Sequence, residues 1–407
     1  MRCMHCYNSN YFDSDKDISV DSVIEFIETN GIEHVHLLGG EPLLSKEIWK
    51  LIDACPDITF SINTNGTLLN KDNIRRILER SSIDQITISL DGHNETTNAK
   101  IRGKGVFDTV IKNGSNLSDQ INKSGLSTKL NVAFVITPDN YGGIPQLYDV
   151  AHTIGANRLM LSFLYYEGMA KKNFTYHYDF DEITNQILEM LQHSNFGNIE
   201  VLIDARPIYF KLLKIKSLVQ IATDTLQQSA CYANNGFCYI SANHDLFPCG
   251  PSSKFGQKYL IGNIDENPRL FMTDKSRFDG ASLCRGCQYT IQCETCPLGI
   301  ECVSMDLCTY SQNVIGEIFE ETKGKHILRS ADYGFIFQPK GDDYRLLFIN
   351  YSKNYFESLF LSKDAYKEHL LYDMAIGDFL TLVHAYDVRD AICKFASLEN
   401  KDLLCFI

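Results

Sequence analysis

Two cysteines near the N-terminus have the spacing of a metal-binding loop. Cys3 and Cys6 stand three positions apart, with His5 just before the second. Two thiolates at this spacing can reach one soft metal centre from a single turn of backbone. Further along, an apolar run ends in Gly39–Pro42, where two glycines allow a close backbone approach and Glu41 supplies a negative charge. This second pattern suits a small cationic ligand.

A second group of cysteines lies in the second half of the chain. Nine of the 14 cysteines fall between Cys231 and Cys308. The N-terminus lacks the regions of a signal peptide, so clustered cysteines favour metal binding over a disulfide scaffold. Pairs of the form Cys-x2-Cys suit tetrahedral zinc, and a pair of zinc ribbons is one interpretation of this segment.

The overall composition is that of an ordinary globular protein. The chain has 407 residues, 44% of them hydrophobic and 22% charged, with a formal net charge of −13. This acidic balance argues against nucleic acid or an anionic membrane as the main partner. No apolar stretch approaches the roughly 18 to 20 residues that span a bilayer. We therefore predict a cytoplasmic protein.

Strand and helix signals alternate from Ser19 to Leu164. Short apolar runs separated by amphipathic stretches are typical of repeated βαβ units around a buried parallel sheet. The predicted strands are residues 35–38, 58–62, 83–90, 130–137, 158–163 and 199–203. The sequence thus predicts an α/β fold, a partial (β/α)6 TIM-like barrel, followed by a small cysteine-rich α+β domain and a C-terminal accessory segment.

Polar clusters follow three of the predicted strands directly. They are Gly39–Pro42, Asn63–Gly66 and Ser89–Gly92. The carboxyl ends of parallel strands meet at one edge of a sheet, so we expect these clusters to converge on one site. Ser89 and Asp91 point to the same side of their strand end because side chains alternate with a period of two.

The cysteine pair and the Gly-Gly-Glu-Pro segment together resemble the radical S-adenosylmethionine superfamily, whose cluster motif is Cys-x3-Cys-x-aromatic-Cys. The resemblance implies that Cys3 and Cys6 are the second and third ligands of a [4Fe–4S] cluster that binds S-adenosylmethionine. The first cysteine would lie four residues before Cys3, at a position this chain does not contain. This predicts a start upstream of Met1, or a truncated or degenerate copy.

The same resemblance implies a set of residues around S-adenosylmethionine. This set is Gly39, Gly40, Glu41, His5, Ser89, Asp91 and Asn65. Glu41 would accept a hydrogen bond from the methionine ammonium, and His5 would pack against the adenine. Ser89 and Asp91 would reach the ribose hydroxyls. Arg102 matches the family's Arg-Gly segment, where it orders its loop, meets a carboxylate or is solvated.

The later cysteines resemble the SPASM domain, which carries two auxiliary [4Fe–4S] clusters in peptide-modifying members of the superfamily. The resemblance implies that one cluster is held by Cys231, Cys238, Cys249 and Cys296. It implies that the other is held by Cys284, Cys287, Cys293 and Cys308. Cys302 is an alternative last ligand. The domains implied are a radical core over residues 1–228, a SPASM domain over 229–310 and an accessory domain over 311–407.

The resemblance implies a peptide maturase. A 5′-deoxyadenosyl radical would abstract hydrogen from a ribosomally synthesised precursor peptide, and a new side-chain bond would form. A flavodoxin or ferredoxin would serve as the reducing partner. Two alternatives stay open: a sulfatase-maturing type of dehydrogenating enzyme, against which Gly250 argues because those enzymes place an aspartate there, and a degenerate metal-binding protein without the site cluster.

One further pair is weaker as a functional signal. His34 and His36 share one face of a predicted strand. Two histidines so placed can ligate a metal, but packing within the barrel is the favoured interpretation.

Overall fold

The computed structural model describes residues 2–7, 18–175, 177–193, 199–204, 226–228, 237–269, 309–310, 312–314, 328–329, 333–340, 343–350 and 355–361. The residues described up to position 269 belong to one compact unit, and the strands from Leu328 onward belong to a second. Within the described residues, no helix is long and apolar enough to cross a membrane.

The first unit is built on a parallel sheet in which every strand pairs with its neighbour in sequence. Its strands are β1 (His34–Leu37), β2 (Thr59–Thr64), β3 (Ile83–Ser89), β4 (Lys129–Ile136), β5 (Arg158–Phe163), β6 (Glu200–Asp204) and β7 (Leu226–Gln228). Consecutive parallel order is the arrangement of a TIM-like barrel. The α/β prediction is confirmed, and so are its six strands; β7 was not predicted.

Helices occupy the connections between these strands. They are α1 (Val20–Asn30), α2 (Glu47–Ala54), α3 (Lys71–Leu78), α4 (Glu95–Arg102), α5 (Val106–Ser124), α6 (Leu147–Ile154), α7 (Met169–Asn173) and α8 (Phe180–His193). Their ends carry recognisable signals. Asn94 and Thr97 form a reciprocal capping box at the start of α4. Gly31 ends α1 with a left-handed backbone, φ 61°, which glycine adopts without strain.

The core lies between the sheet and the helices. Apolar side chains at alternate strand positions, such as Ile62, Ile88 and Phe134, are almost completely buried. A methyl group added at Gly114 of α5 would lie 2.9 Å from the Ile154 side chain and 3.1 Å from that of Ile88. This close approach shows that the Ile88 face of the sheet carries the helices.

A small antiparallel sheet follows later in the first unit. Its strands are β8 (Tyr239–Ile240), β9 (Asp245–Phe247) and β10 (Gly262–Asn263), with β9 in the middle. Phe247 and Tyr259 form its buried cluster, against which Cys249 packs. The hairpin expected around residues 243–249 is therefore present.

The second unit contains a four-stranded antiparallel sheet. Its strands are β11 (Leu328–Arg329), β12 (Tyr333–Lys340), β13 (Asp343–Asn350) and β14 (Tyr355–Leu361), in that order. The sequence of residues 333–348 predicts a hairpin with two helices beyond it. The pairing of β12 with β13 confirms the hairpin, and the two helices lie outside the described residues.

Candidate functional site

The N-terminal cysteine loop is fixed at the carboxyl edge of the parallel sheet. Its two cysteines share one turn, because the Cys6 N–H donates to the Cys3 carbonyl over 3.2 Å. The Met4 N–H donates to the Ile101 carbonyl in α4 over 2.9 Å. The Met169 N–H at the start of α7 donates to the Cys6 carbonyl over 3.0 Å. Helices α4 and α7 follow strands β3 and β5, so both attachments lie where the site was expected.

The two thiols of this loop lie in different charge environments. Cys3 and Cys6 are both half-buried thiols. Burial raises the pKa of the Cys3 thiol, and the nearby Arg102 guanidinium opposes that rise. One guanidinium nitrogen of Arg102, Nη1, lies 3.9 Å from the Cys3 sulfur. Within the described part of the chain, no group of three or more His, Cys, Asp and Glu side chains is placed to hold a metal ion.

The Asp91 carboxylate contacts several groups beside this loop. Its carboxylate oxygen Oδ2 lies 2.5 Å from Nε of Arg102 and 2.5 Å from Nε2 of His5. The other oxygen, Oδ1, accepts from the Val135 N–H over 2.9 Å. The side chain is 0% exposed. The Arg102 and His5 charges lower the pKa of Asp91 despite its burial.

Glu41 links the Gly-Gly-Glu-Pro turn to the end of β2. Its Oε1 accepts from the Thr64 hydroxyl over 2.7 Å and from the Leu43 N–H over 3.2 Å, and its Oε2 accepts from the Asn65 N–H over 2.7 Å. Burial raises the pKa of the Glu41 carboxyl, while these hydrogen bonds oppose the rise. Gly39 before it has φ 150°, a backbone geometry that favours glycine.

The predicted site residues on β2 and β3 converge on the same edge. The Asn65 side chain accepts from the N–H and hydroxyl of Thr67, so it shapes the turn after β2. Ser89 is half-buried at the end of β3. Asn63, two residues before Asn65, has a buried side-chain oxygen without a hydrogen-bond partner. A buried acceptor left unpaired is costly, so Asn63 marks a place where a ligand donor would be stabilised.

Tyr7 connects the cysteine loop to the small antiparallel sheet. Its ring lies 6.0 Å from that of Tyr165, and the Lys254 ammonium lies 5.7 Å from its centre. Burial raises the Tyr7 pKa. A Cβ added at Gly250 would lie 3.2 Å from the Tyr7 hydroxyl. An aspartate at position 250, as in the sulfatase-maturing alternative, would crowd this contact.

The structure describes two of the cysteines predicted for auxiliary clusters. Cys238 precedes β8 and Cys249 follows β9, and the register Tyr239 to Phe247 places both at the same end of the hairpin. Burial raises the pKa of Cys238 to about 11. The other predicted ligands, Cys231, Cys284, Cys287, Cys293, Cys296 and Cys308, and the alternative Cys302, lie outside the described residues.

The sheet face opposite the helices is polar, and the sequence analysis missed this feature. Parallel sheets covered on both faces are usually apolar throughout. Here Asn131 donates to Gln85 over 3.1 Å across β3 and β4, and Arg158 donates to Glu200 over 2.8 Å across β5 and β6. The signal was available as alternation of polar and apolar residues in these strands. These polar side chains pair with one another near the amino ends of their strands, so they stabilise the sheet face without marking a ligand site.

His36 belongs to a hydrogen-bonded group on this face. The Ser61 hydroxyl contacts ring nitrogens of both His34 and His36, the first over 2.8 Å. Nδ1 of His34 lies 3.9 Å from an Asp84 carboxylate oxygen. Desolvation, with a smaller effect of His34, lowers the pKa of His36 to about 4. Both side chains nevertheless remain exposed, so the interpretation that they pack within the barrel is not confirmed.

We expect His36 to make the fold sensitive to mild acid. The unfolded imidazole, with a pKa of 6.5, gains a proton before the folded one does. Stability should be complete above pH 6.5 and fall as the pH drops toward 4, by less than about 1 kcal/mol from this residue, because solvent screens an exposed imidazole. Urea unfolding between pH 7 and 4 measures this. His36→Gln should flatten the dependence of stability on pH. The control His152→Gln, at an exposed position of α6, should leave that dependence unchanged. Equal pH dependence in His36→Gln and wild type would contradict the prediction.

Comparison with known proteins identifies relatives of the first unit. Residues 1–149 match the family model of the radical SAM superfamily. The AdoMet-dependent heme synthase of Methanosarcina barkeri is 23% identical over 319 residues, covering 73% of this chain and 87% of the synthase. The mycofactocin maturase MftC of Mycolicibacterium smegmatis is 27% identical over 161 residues, covering 38% of this chain and 40% of the maturase.

The solved structures show the same fold. SuiB of Streptococcus suis, bound to its precursor peptide SuiA, aligns with a TM-score of 0.53 and 18% identity. The alignment covers 74% of this chain and 73% of SuiB. At this identity the similarity establishes the fold alone.

Proposed function

Residues 1–149 match the model of the radical SAM superfamily, and from this match we propose that the chain is a radical S-adenosylmethionine enzyme that modifies a ribosomally synthesised peptide. The observation that carries the proposal is the cysteine loop, which is attached to α4 and α7 at the sheet edge where Glu41 and Ser89 also lie. This arrangement brings thiolates and a cofactor-binding turn together at one site.

Cys3 and Cys6 would hold two corners of a [4Fe–4S] cluster. Their chemistry fits, because two half-buried thiols share one turn, and the Arg102 guanidinium opposes the burial that raises the Cys3 pKa. When bound, such a cluster supplies the electron for reductive cleavage of S-adenosylmethionine. A third cysteine ligand is expected from the motif at the position four residues before Cys3.

Glu41 and its neighbours would bind S-adenosylmethionine. The Glu41 carboxylate is buried and accepts hydrogen bonds from neutral groups, so the methionine ammonium would add a charge-assisted bond. Gly39 and Gly40 leave space beside it, because a methyl group at either would meet no atom within 4 Å. The unpaired oxygen of Asn63 would accept from a nucleoside hydroxyl or amine.

The polar inner face of the sheet would hold the peptide. Peptide amides need both donors and acceptors, and the carboxyl half of this face offers Ser89 and Ser162. Gln85, Asn131 and the Arg158–Glu200 pair lie nearer the amino edge. MftC and the peptide-bound SuiB support a peptide substrate. Hydrogen abstraction followed by loss of one proton and one electron would form the new bond. The modified peptide would then be two hydrogens lighter than its precursor.

The segment from residue 229 to 310 would serve as an auxiliary-cluster domain. Placement of Cys238 and Cys249 at one end of the β8–β9 hairpin supports this, since both could reach a common centre. Its clusters would accept the electron released in bond formation. A flavodoxin or ferredoxin would deliver the first electron, and residues 311–407 would form an accessory domain.

An iron tetrapyrrole is the second candidate substrate. The specific observation in its favour is the alignment with the heme synthase, which covers 87% of that protein. A tetrapyrrole side chain offers C–H bonds to the same radical chemistry.

The test is an anaerobic reaction of the reconstituted protein, carrying the third motif cysteine, with dithionite and S-adenosylmethionine. One arm contains the short peptides encoded beside its gene, and the other contains iron coproporphyrin. We expect 5′-deoxyadenosine in the peptide arm and a peptide lighter by about 2 Da, with deuterium passing from labelled peptide into 5′-deoxyadenosine. Turnover of the porphyrin with no change in any peptide would contradict the peptide proposal.

A further inference from the structure

Asp91 is held by protein groups on every side. Both carboxylate oxygens are engaged, Oδ1 by the Val135 N–H and Oδ2 by His5 and Arg102. The backbone is fixed as well: the Asp91 N–H donates to Asn98 over 3.0 Å, and the Asp91 carbonyl accepts from Asn140 over 3.1 Å. With 0% exposure, this carboxylate offers no oxygen to a ligand in the observed conformation.

Arg102 carries the effect of Asp91 to the cysteine loop. It is the last residue of α4 and only 7% exposed. A guanidinium buried to this extent requires an anionic partner, and Asp91 supplies it. The guanidinium then has a further nitrogen, Nη1, close enough to the Cys3 sulfur to donate a hydrogen bond. The neighbouring Ile101 carbonyl accepts a hydrogen bond from the Met4 N–H. The C-terminal end of α4 therefore contacts both the backbone of the cysteine loop and the Cys3 sulfur.

We propose that Asp91 and Arg102 are positioning residues for the Cys3 ligand, in place of the ribose-binding role that sequence resemblance implies for Asp91. This inference rests on the proposed function. Asp91 fixes the guanidinium plane, and Arg102 donates an N–H to the Cys3 sulfur and places a positive charge beside it. His5 completes the arrangement by tying the middle of the loop to the same carboxylate.

The arrangement has two consequences for a bound cluster. A hydrogen bond and a positive charge at a ligand sulfur stabilise the more negative, reduced state and raise the reduction potential. A loop fixed in advance also costs less entropy when the cluster binds. Lysine cannot fully replace arginine at position 102, because only the planar guanidinium can donate to Asp91 and Cys3 at the same time.

The experiment compares Arg102→Gln, Arg102→Lys and Asp91→Asn with a matched control, Arg80→Gln. Arg80 forms a two-pronged ion pair with Asp53, over 2.7 and 2.8 Å, away from the cysteine loop. All are made in a protein that carries the third motif cysteine. The readouts are iron and sulfide per chain, the midpoint potential followed by electron paramagnetic resonance, and S-adenosylmethionine affinity.

We expect Arg102→Gln to shift the midpoint to a more negative potential and to weaken cluster retention about 10- to 100-fold. Arg102→Lys should give an intermediate midpoint potential. Arg80→Gln should match wild type in both midpoint potential and cluster retention. Asp91→Asn should follow Arg102→Gln in potential; if it does not fold, the comparison of Arg102→Gln with Arg80→Gln decides alone.

Two results would overturn the inference. One is an Arg102→Gln protein with wild-type potential and cluster content. The other is an Asp91→Asn protein that loses S-adenosylmethionine affinity with its potential unchanged, which would assign Asp91 to the nucleoside. A wild-type protein that takes up no iron–sulfur cluster would contradict the proposed function itself, and this inference with it.

Discussion

In the protein that carries the third motif cysteine, replacement of either Cys3 or Cys6 by alanine should abolish cleavage of S-adenosylmethionine. Each thiol is a predicted ligand on one turn of backbone, and removing one leaves too few sulfurs on this loop to retain the cluster. The rate should fall to background, a loss of at least about 1,000-fold. Measurement of 5′-deoxyadenosine by liquid chromatography under strictly anaerobic conditions gives the result.

Cys55→Ala is the matched control for these variants. Cys55 is a buried free thiol that follows α2 and has no contact with the cysteine loop among its described interactions. Its loss should lower stability modestly and leave cleavage per iron–sulfur cluster unchanged. Cleavage by Cys3→Ala at the rate of Cys55→Ala would contradict the assignment of the loop.

Gly92→Ala should unfold the turn between β3 and α4. A Cβ at this position would lie 2.2 Å from the Asn98 backbone nitrogen and 2.5 Å from the Thr97 hydroxyl oxygen. These atoms belong to the capped first turn of α4 and cannot move without breaking the hydrogen bond from the Asp91 N–H to Asn98. We expect a loss of about 3 kcal/mol or more in the free energy of unfolding, measured in urea.

Gly142→Ala provides the comparison for that substitution. Nothing lies within 4 Å of the Cβ that it would add, and its backbone is not in the left-handed region. Its effect should therefore stay within about 0.5 kcal/mol. If the two variants unfold at the same urea concentration, the close packing of Gly92 against α4 is not a determinant of stability.

The sequence predicts most of the parallel sheet because its strands are apolar and regularly spaced. β2, β3 and β4 were found within two residues of their observed ends. β7 was missed because Leu226-Gln227-Gln228 is short and polar, so neither length nor periodicity marks it. α4 was missed because its residues are mostly polar, although the Asn94 and Thr97 capping pattern was a usable signal.

The sequence locates the cysteine loop and Glu41 but does not show what surrounds them. The motif pointed to Cys3, Cys6 and Glu41 through residue type and spacing. The contacts that join Asp91, Arg102 and His5 connect residues up to 86 positions apart in the chain. Such contacts depend on how α4 packs against the loop, and no local pattern encodes that packing.

The most direct measurement is the iron, acid-labile sulfide and zinc content after anaerobic reconstitution. It should be made on this chain and on one extended by two residues, Cys-Ser, before Met1, which completes the motif spacing. The proposed function predicts about four more irons and four more sulfides per chain in the extended form, with S-adenosylmethionine altering its paramagnetic spectrum. Zinc without sulfide in both forms would contradict the radical mechanism and indicate a zinc-stabilised protein instead.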